Sequence, residues 1–144
     1  DRAHERGPGE VQALERYYRA RYERFKSLLK WREQLPELLE AVKSVLPDAE
    51  VYIFGSALRG ELTANSDVDV LVVTDKAAGP QRHQLAAAIE EKLKTPLIFE
   101  IHLATREKLD WYKRHAKMLT PAQQLATSSK ASQPPEEAQA TGEA

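Results

Sequence analysis

The sequence predicts an α+β domain in which three short strands alternate with helices, behind a long N-terminal helix. Residues 51–54, 68–73 and 97–103 are apolar runs rich in β-branched and aromatic side chains, which is typical of strands. The segments between them carry apolar residues at steps of three and four, which is the period of an amphipathic helix. At 144 residues the chain is long enough for one well-developed hydrophobic core and too short for two.

The composition excludes several kinds of chemistry. The chain has no cysteine, which removes disulfides, thiolate catalysis and thiolate metal sites. A formal net charge of -1 gives no indication of a nucleic-acid coat or of a membrane surface. No apolar run approaches the roughly 20 residues that cross a bilayer, and the first residues contain no hydrophobic signal core. We therefore expect a cytoplasmic protein with neither a membrane nor a nucleic acid as its partner.

The two ends of the chain are predicted to lie outside the domain. Residues 1–9 include Pro8 and two glycines, and we expect them to be a flexible lead-in. Residues 120–144 have no large apolar side chain after Leu125, so they bury too little surface to offset the entropy of ordering. We expect this C-terminal segment to be a disordered tail.

A helix is predicted over residues 10–34, with its apolar side chains on one stripe. The stripe consists of Val11, Leu14, Tyr18, Tyr22, Phe25, Leu28 and Leu29. We expect it to pack on this domain, on a second copy in a homodimer, or on a partner protein. RNA contact through the neighbouring arginine, lysine and tyrosine side chains is the remaining alternative.

The core of the domain is predicted to occupy residues 35–119. A proline in the first turn fits a helix over residues 35–45, because that position needs no backbone N–H. Residues 56–66 are rich in glycine, threonine, asparagine and serine, which favour turns over a regular element. Further helices are predicted over residues 81–93 and 105–119.

Three carboxylates stand at or within the predicted strands. Asp67 and Asp69 are two residues apart at the start of the second strand, so both project from the same face. Glu100 lies within the apolar third strand, where an uncompensated carboxylate is costly to bury. If the third strand lies beside the second, all three carboxylates converge. Such oxygen ligands are what Mg²⁺ prefers, and two ions can clamp the attacking and leaving oxygens of a phosphoryl displacement.

Gly55 and Ser56 follow the first strand and provide the features of a phosphate site. Without a Cβ, Gly55 lets backbone N–H groups approach phosphate oxygens, and the Ser56 hydroxyl can donate to the same group. Arg59 offers a fork of donors that can neutralise triphosphate charge. Taken singly, a Gly-Ser pair is usually a turn and an Asp-x-Asp pair usually a cap or loop. Their order at consecutive strand ends favours a phosphoryl-transfer site.

Gly55-Ser56, ten intervening residues and Asp67-Val68-Asp69 together resemble the signature of the DNA polymerase beta nucleotidyltransferase superfamily, specifically its minimal nucleotidyltransferases. Arg59-Gly60 and Asn65-Ser66 within the spacer also resemble that group. The resemblance covers residues 35–111. It implies a two-layer fold with a small mixed β-sheet and helices on one side.

The resemblance also implies roles for individual residues. It implies Mg²⁺, with two ions expected, bound by Asp67, Asp69 and Glu100, and these three carboxylates as the catalytic groups. Glu100 stands where the family more often has Asp, and the third carboxylate there also helps to deprotonate the acceptor hydroxyl. The residues expected to contact the nucleotide and its phosphates are Gly55, Ser56, Arg59 and Ser66.

The activity implied by the resemblance is transfer of a nucleoside monophosphate, with AMP expected, from ATP or another nucleoside triphosphate to an acceptor hydroxyl. A chain of this length has no room for a second acceptor domain. In many members the acceptor is a small all-helical HEPN-type partner, a toxin that the transferase silences. Two alternatives stay open: an antitoxin that neutralises its partner by docking alone, and transfer to a small molecule such as an aminoglycoside.

His102 lies two residues from Glu100 and therefore on the same face of the third strand. We interpret it as a hydrogen-bonded structural histidine, and contact with acceptor or phosphate is the alternative. His83 and His115 fall on predicted helices without the spacing of metal ligands, and we expect both to be solvated.

Overall fold

The computed structural model describes residues 7–116 and 118–127 of the chain. The helices and strands in chain order are α1 (Pro8–Leu29), α2 (Leu35–Val45), β1 (Glu50–Phe54), α3 (Ser56–Arg59), β2 (Val68–Val73), α4 (Arg82–Glu91), β3 (Phe99–Ala104), α5 (Arg106–His115), β4 (Thr120–Pro121) and α6 (Ala122–Thr127). Short 3-10 turns lie at Trp31–Gln34 and Asp75–Ala78. None of the helices within the described residues combines the length and apolar character needed to span a membrane.

The four strands form one mixed sheet in the order β3-β2-β1-β4. β1 pairs antiparallel with β2 and with β4, whereas β2 and β3 are parallel. A parallel pair requires a crossover connection, and the segment that contains α4 provides it. The predicted α+β class is confirmed, and so is the prediction that the third strand lies beside the second.

Side chains of β2 alternate between two apolar clusters on opposite faces of the sheet. Val68, Val70 and Val72 belong to the main core, which also holds buried residues of α2, α4 and α6. Leu71 and Val73 belong to a smaller cluster that α5 closes with Leu109 and Tyr112. Most helices therefore lie on one face, as the resemblance implies, and α5 packs on the other. Because side chains alternate, the face that carries Leu71 and Val73 also carries Asp69.

The first helix begins earlier than its sequence suggests. Residues 1–9 were expected to be a flexible lead-in, but α1 already begins at Pro8. Proline is well tolerated at a first helical position, and the Gly7 N–H donates to Oε1 of Glu10 at 3.2 Å, which caps the first turn. Residues 1–6 lie outside the described part of the chain. At its other end α1 stops at Leu29, and a 3-10 turn replaces the predicted continuation to residue 34.

The expected loop over residues 56–66 contains one short regular element. Ser56–Arg59 forms a single helical turn, which Gly60 ends with a left-handed backbone at φ 71°. Glycine adopts that conformation without a steric penalty. The turn-rich composition correctly predicts the rest of this connection, where residues 61–67 contain no helix or strand.

The predicted tail is ordered in its first part. The last predicted helix, over residues 105–119, ends at His115, and the chain then continues into β4 and α6. Thr120 pairs with Ile53 of β1, and Ala122 is completely buried in the main core. A boundary at residue 120 is therefore wrong for residues 120–127, because a few small apolar side chains are enough to seal the edge of the sheet. Residues 128–144 lie outside the described part of the chain.

Only the C-terminal turns of α1 pack against the domain. Leu28 is fully buried and Phe25 packs against the main core. Four members of the predicted apolar stripe are instead exposed, namely Val11, Tyr18, Tyr22 and Leu29. The expectation that the stripe packs on this domain thus holds for its C-terminal end, and a second copy or partner over the remainder stays a prediction.

Arg24 ties α1 to the ends of two strands. Its Nε donates to the Leu97 carbonyl oxygen at 3.1 Å, and its Nη1 donates to the Ser66 carbonyl oxygen at 3.0 Å. Its Nη2 forms an ion pair with Oδ1 of Asp67. One guanidinium therefore joins α1 to the segments that lead into β2 and β3.

We predict that Arg24→Ala lowers the free energy of unfolding by about 1 to 3 kcal/mol, because two carbonyl oxygens and a carboxylate lose their donor. Urea unfolding measures the change. The matched control is Arg19→Ala, since Arg19 forms no hydrogen bond or ion pair among the described residues. That control should stay within about 0.5 kcal/mol of wild type. Equal losses in the two variants would show that Arg24 does not anchor α1.

Candidate active site

Asp69, Glu100 and His102 form a compact polar cluster on the exposed end of the sheet. In the parallel register of β2 and β3, Asp69 lies directly opposite Glu100. His102 donates from Nε2 to Oδ1 of Asp69 at 3.3 Å, and the same nitrogen lies 3.8 Å from Oε1 of Glu100. One potential ligand atom from each of the three residues lies within 4.8 Å of the others. The site thus brings two carboxylates and one imidazole together.

Asp67 immediately precedes β2, and its side chain faces Arg24 of α1. Its carboxylate is paired with Arg24, and its side chain is 46% exposed. The structure therefore gathers Asp69 and Glu100 as expected and holds Asp67 beside them. The negative charge of Asp67 still reaches Glu100, where it contributes to a raised pKa.

The pKa of Glu100 is raised above its usual value, first because burial disfavours the charged form. The hydrogen bond and charge of Asp69 and the charge of Asp67 raise that pKa further, while the charge of His102 opposes the rise. The pKa of His102 is also raised, mainly by its hydrogen bond to Asp69, and burial opposes that change. The cluster holds more negative charge than it can balance alone, which is a setting that favours a bound cation.

Gly55 makes room for Asp69. Its backbone has φ 88°, a conformation that side-chain-bearing residues rarely adopt. A Cβ at this position would overlap Oδ2 of Asp69 and lie 3.3 Å from its Cγ. The sequence led us to expect a glycine that lets phosphate approach the backbone, and the structure adds a steric need for glycine beside the carboxylate.

The other predicted phosphate contacts lie nearby without joining the carboxylate cluster. Ser56 is the first residue of α3 and is partly buried. Arg59 donates from Nε to Oε1 of Glu61 at 2.9 Å, on the surface. The Ser66 hydroxyl accepts the Thr63 N–H at 2.8 Å within the loop. Phosphate contacts by Ser56, Arg59 and Ser66 stay predictions.

The sequence analysis did not identify Arg24 as a site residue, and it interpreted His102 as structural. Arg24 was not singled out, because no spacing links residue 24 to residue 67 before α1 is docked. His102 does make the structural hydrogen bond that was expected, but its partner is Asp69, inside the site itself. Its position two residues after Glu100 was the available signal, since both side chains must share a face.

A family model described as a nucleotidyltransferase domain matches residues 35–120. The chain belongs to this nucleotidyltransferase domain family. The match confirms the resemblance to minimal nucleotidyltransferases of the polymerase beta superfamily, and it supports nucleotidyl transfer as the general activity. It begins after α1, so Arg24 lies outside the matched region.

Two solved structures are similar to the chain. One is a crystal structure of an inferred nucleotidyltransferase, with 28% sequence identity and a TM-score of 0.51, covering 61% of this chain and 96% of that chain. The other is a protein inferred to be a nucleotidyltransferase from Sulfolobus solfataricus, with 22% identity and a TM-score of 0.48, covering 66% of this chain and 82% of that chain. No curated protein matches the chain.

We predict that the pKa of the His102 imidazole lies above the usual histidine value of about 6.5 and that Asp69→Asn lowers it, because the charged hydrogen-bond acceptor is removed. NMR of the histidine ring protons measures both values, with His102→Gln used for assignment. Because the folded pKa is raised, this bond stabilises the fold fully below the unfolded pKa of about 6.5 and loses that effect as pH rises through the folded value. An unchanged pKa in Asp69→Asn would contradict the assignment.

We predict that Gly55→Ala disrupts the site, whereas Gly60→Ala changes stability alone. Both glycines have positive φ, so each substitution costs roughly 1 to 2 kcal/mol of backbone strain. Only Gly55→Ala also pushes the Asp69 carboxylate away from His102, since a Cβ at Gly60 meets nothing within 4 Å. The His102 pKa should therefore fall in Gly55→Ala and stay at the wild-type value in Gly60→Ala. The same NMR titration decides, and identical pKa values in both variants would refute the steric role.

Proposed function

We infer that this chain transfers a nucleoside monophosphate, AMP from ATP, to a hydroxyl on a HEPN-type partner protein, and that it acts as the antitoxin of that partner. The observation that carries the proposal is the pairing of Asp69 with Glu100 across β2 and β3, directly beside the backbone of Gly55. Two carboxylates next to a phosphate-accessible turn are what a nucleotidyl transfer requires.

The donor set fits Mg²⁺. Asp69 and Glu100 offer carboxylate oxygens from adjacent strands. The pKa of Glu100 is raised first by burial and then by the neighbouring Asp69 and Asp67, and a cation would favour its charged form. Mg²⁺ bound there would stabilise the charge that develops on the phosphoryl oxygens. Asp67 completes the set when its carboxylate exchanges Arg24 for the cation. His102 is an imidazole, a ligand type that Mg²⁺ seldom takes, so we assign it to holding Asp69 in place.

In the proposed reaction the acceptor oxygen attacks the α-phosphorus of ATP. The bond from that phosphorus to the bridging oxygen breaks, and pyrophosphate leaves. Glu100 takes the proton of the acceptor hydroxyl, a role that suits a carboxylate with a raised pKa. No covalent enzyme intermediate is needed, so the contribution of the protein is positioning and electrostatic stabilisation.

A protein acceptor is supported by the openness of the site. The side chain of Glu100 is 56% exposed, so a hydroxyl carried by a macromolecule can reach it. The exposed part of α1 presents Val11, Tyr18 and Tyr22 on the same element that carries Arg24. Exposed aromatic and aliphatic side chains of this kind are typical of surfaces that bind proteins.

A second candidate function is neutralisation of the partner by docking alone. The observation that favours it is the ion pair of Arg24 with Asp67, which keeps one of the three expected ligands occupied by a basic side chain of the same chain. In that case the fold would only bind the partner protein, and substitution of the carboxylates would not affect neutralisation of that partner.

We predict that the wild-type chain transfers label from α-labelled ATP to a HEPN-type partner protein, in the presence of Mg²⁺. Asp67→Asn with Asp69→Asn should reduce the rate by roughly 100-fold or more, because the cation loses its ligands. The matched control is Asp48→Asn with Asp75→Asn, which removes two exposed carboxylates elsewhere and should retain the wild-type rate. Absence of label transfer by the wild type would refute the proposed reaction. Full neutralisation by the Asp67/Asp69 variant would instead establish docking alone.

A further inference from the structure

An aromatic pocket adjoins the carboxylate cluster on the α5 side of the sheet. Its volume is about 470 Å³, within the range of small-molecule sites. The pocket is lined by Phe54, Gly55, Arg59, His102, Trp111, Tyr112, His115 and Ala116. It therefore shares Gly55 and His102 with the site described above, and its remaining walls come largely from α5.

The α5 wall of this pocket presents flat rings. The Trp111 and His115 rings are stacked, with centroids 4.6 Å apart and planes at 23°. Tyr112 packs edge-on against Trp111 at 5.1 Å and against Phe54 at 5.8 Å. The stack is held by a hydrogen bond from Nδ1 of His115 to the Trp111 carbonyl oxygen at 2.8 Å. His115 is exposed, as the sequence led us to expect, and its ring also stacks on Trp111.

Trp111 is not needed to complete the hydrophobic core. Its side chain is 43% exposed, whereas Leu109 of the same helix is buried against Leu71 and Val73. His115 stacks on the Trp111 ring and Lys108 Nζ lies 5.2 Å from its centroid, and the part of the side chain that stays exposed faces solvent beside the pocket. Stacking on such rings is sequence-tolerant and contributes substantially to the binding of nucleobases.

We propose that this pocket binds the nucleobase of the nucleoside triphosphate, with the ring against the Trp111–His115 stack and the phosphates toward Gly55 and Asp69. The pocket runs from aromatic side chains to Gly55, Arg59 and His102. This layout fits an occupant with a planar ring at one end and, when Mg²⁺ is held by the adjoining carboxylates, an anion at the other. A nucleotide has that layout. An aromatic side chain of the acceptor would fill the ring site but leave the phosphate end unused. This inference rests on the proposed function and names where its substrate is held.

The test distinguishes the contribution of the nucleobase to binding from that of the phosphates. Binding of α,β-methylene-ATP, which cannot donate a nucleotide, and of inorganic triphosphate is measured by calorimetry in the presence of Mg²⁺. Trp111→Ala should weaken binding of the ATP analogue about tenfold to 100-fold and leave triphosphate binding unchanged, because only the analogue has a ring to stack. Trp111→Phe is the matched control, since it retains a ring and should stay within about threefold of wild type.

A second measurement keeps the test independent of how well Trp111→Ala folds. The chain has two tryptophans, so Trp31→Phe leaves Trp111 as the only one. Its fluorescence should change on addition of the ATP analogue and not on addition of inorganic triphosphate. Equal responses to both ligands would overturn the assignment of the pocket.

The remaining outcomes distinguish the pocket from the reaction. If Trp111→Ala binds the analogue as wild type does while Asp67→Asn with Asp69→Asn binds it weakly, the pocket assignment is wrong and the proposed function stands. If Trp111→Ala changes only the KM for the acceptor protein, the pocket belongs to the acceptor and the inference fails. If the wild type binds neither ligand with Mg²⁺, both the pocket assignment and the proposed function fail.

Discussion

The parallel pairing of β2 with β3 is the constraint on which the candidate site depends. It sets Asp69 opposite Glu100 and brings His102 to the same face. A slip of one residue would move every side chain of β3 to the other face, and Glu100 would then point into the main core. The register is fixed by the opposite face, where Val68, Val70 and Phe99 are buried together. The hydrophobic core thus positions the carboxylates without touching them.

The crowding of negative charge is balanced by side chains from two different elements. Asp67 is paired with Arg24 of α1, and Asp69 accepts a hydrogen bond from His102 of β3. The pKa of Glu100 is raised, first by burial and then by Asp69 and Asp67, while the charge of His102 opposes the rise. Gly55 contributes by lacking a side chain where the Asp69 carboxylate needs space. The cluster is therefore tolerated in the absence of a cation and remains accessible to one.

The sequence could predict what local periodicity determines. Alternation along a strand predicted Asp67 and Asp69 on one face, but Asp67 precedes β2 and pairs with Arg24. The apolar character of residues 97–103 correctly indicated a strand that carries Glu100. Contacts between elements that are distant in sequence could not be predicted from local periodicity. Arg24 reaches Asp67 only because α1 crosses the ends of β2 and β3.

The packing of α6 and the exposure of the α5 aromatic residues could not be predicted from the sequence, for physical reasons. α6 was assigned to the tail because the chain has no large apolar side chain after Leu125, yet Ala122 is fully buried and Leu125 packs against the main core, where α6 contacts α2 and β1. The aromatic residues of α5 have ordinary helical spacing, and such a pattern usually indicates core packing. Only the position of Leu109 in the core shows that Trp111 lies on another side of the helix.

The position of α1 bears on both proposed functions, nucleotidyl transfer and neutralisation by docking alone. The matched nucleotidyltransferase region begins at residue 35, yet Arg24 binds Asp67 and the carbonyl groups that precede β2 and β3. In the proposed reaction Asp67 would exchange Arg24 for a cation, whereas docking alone allows the ion pair to persist. The exposed surface of α1 is continuous with the turn that carries Arg24, so a partner bound there lies on the element that holds Asp67. Whether Arg24 releases Asp67 therefore separates an enzyme from a binding module built on the same fold.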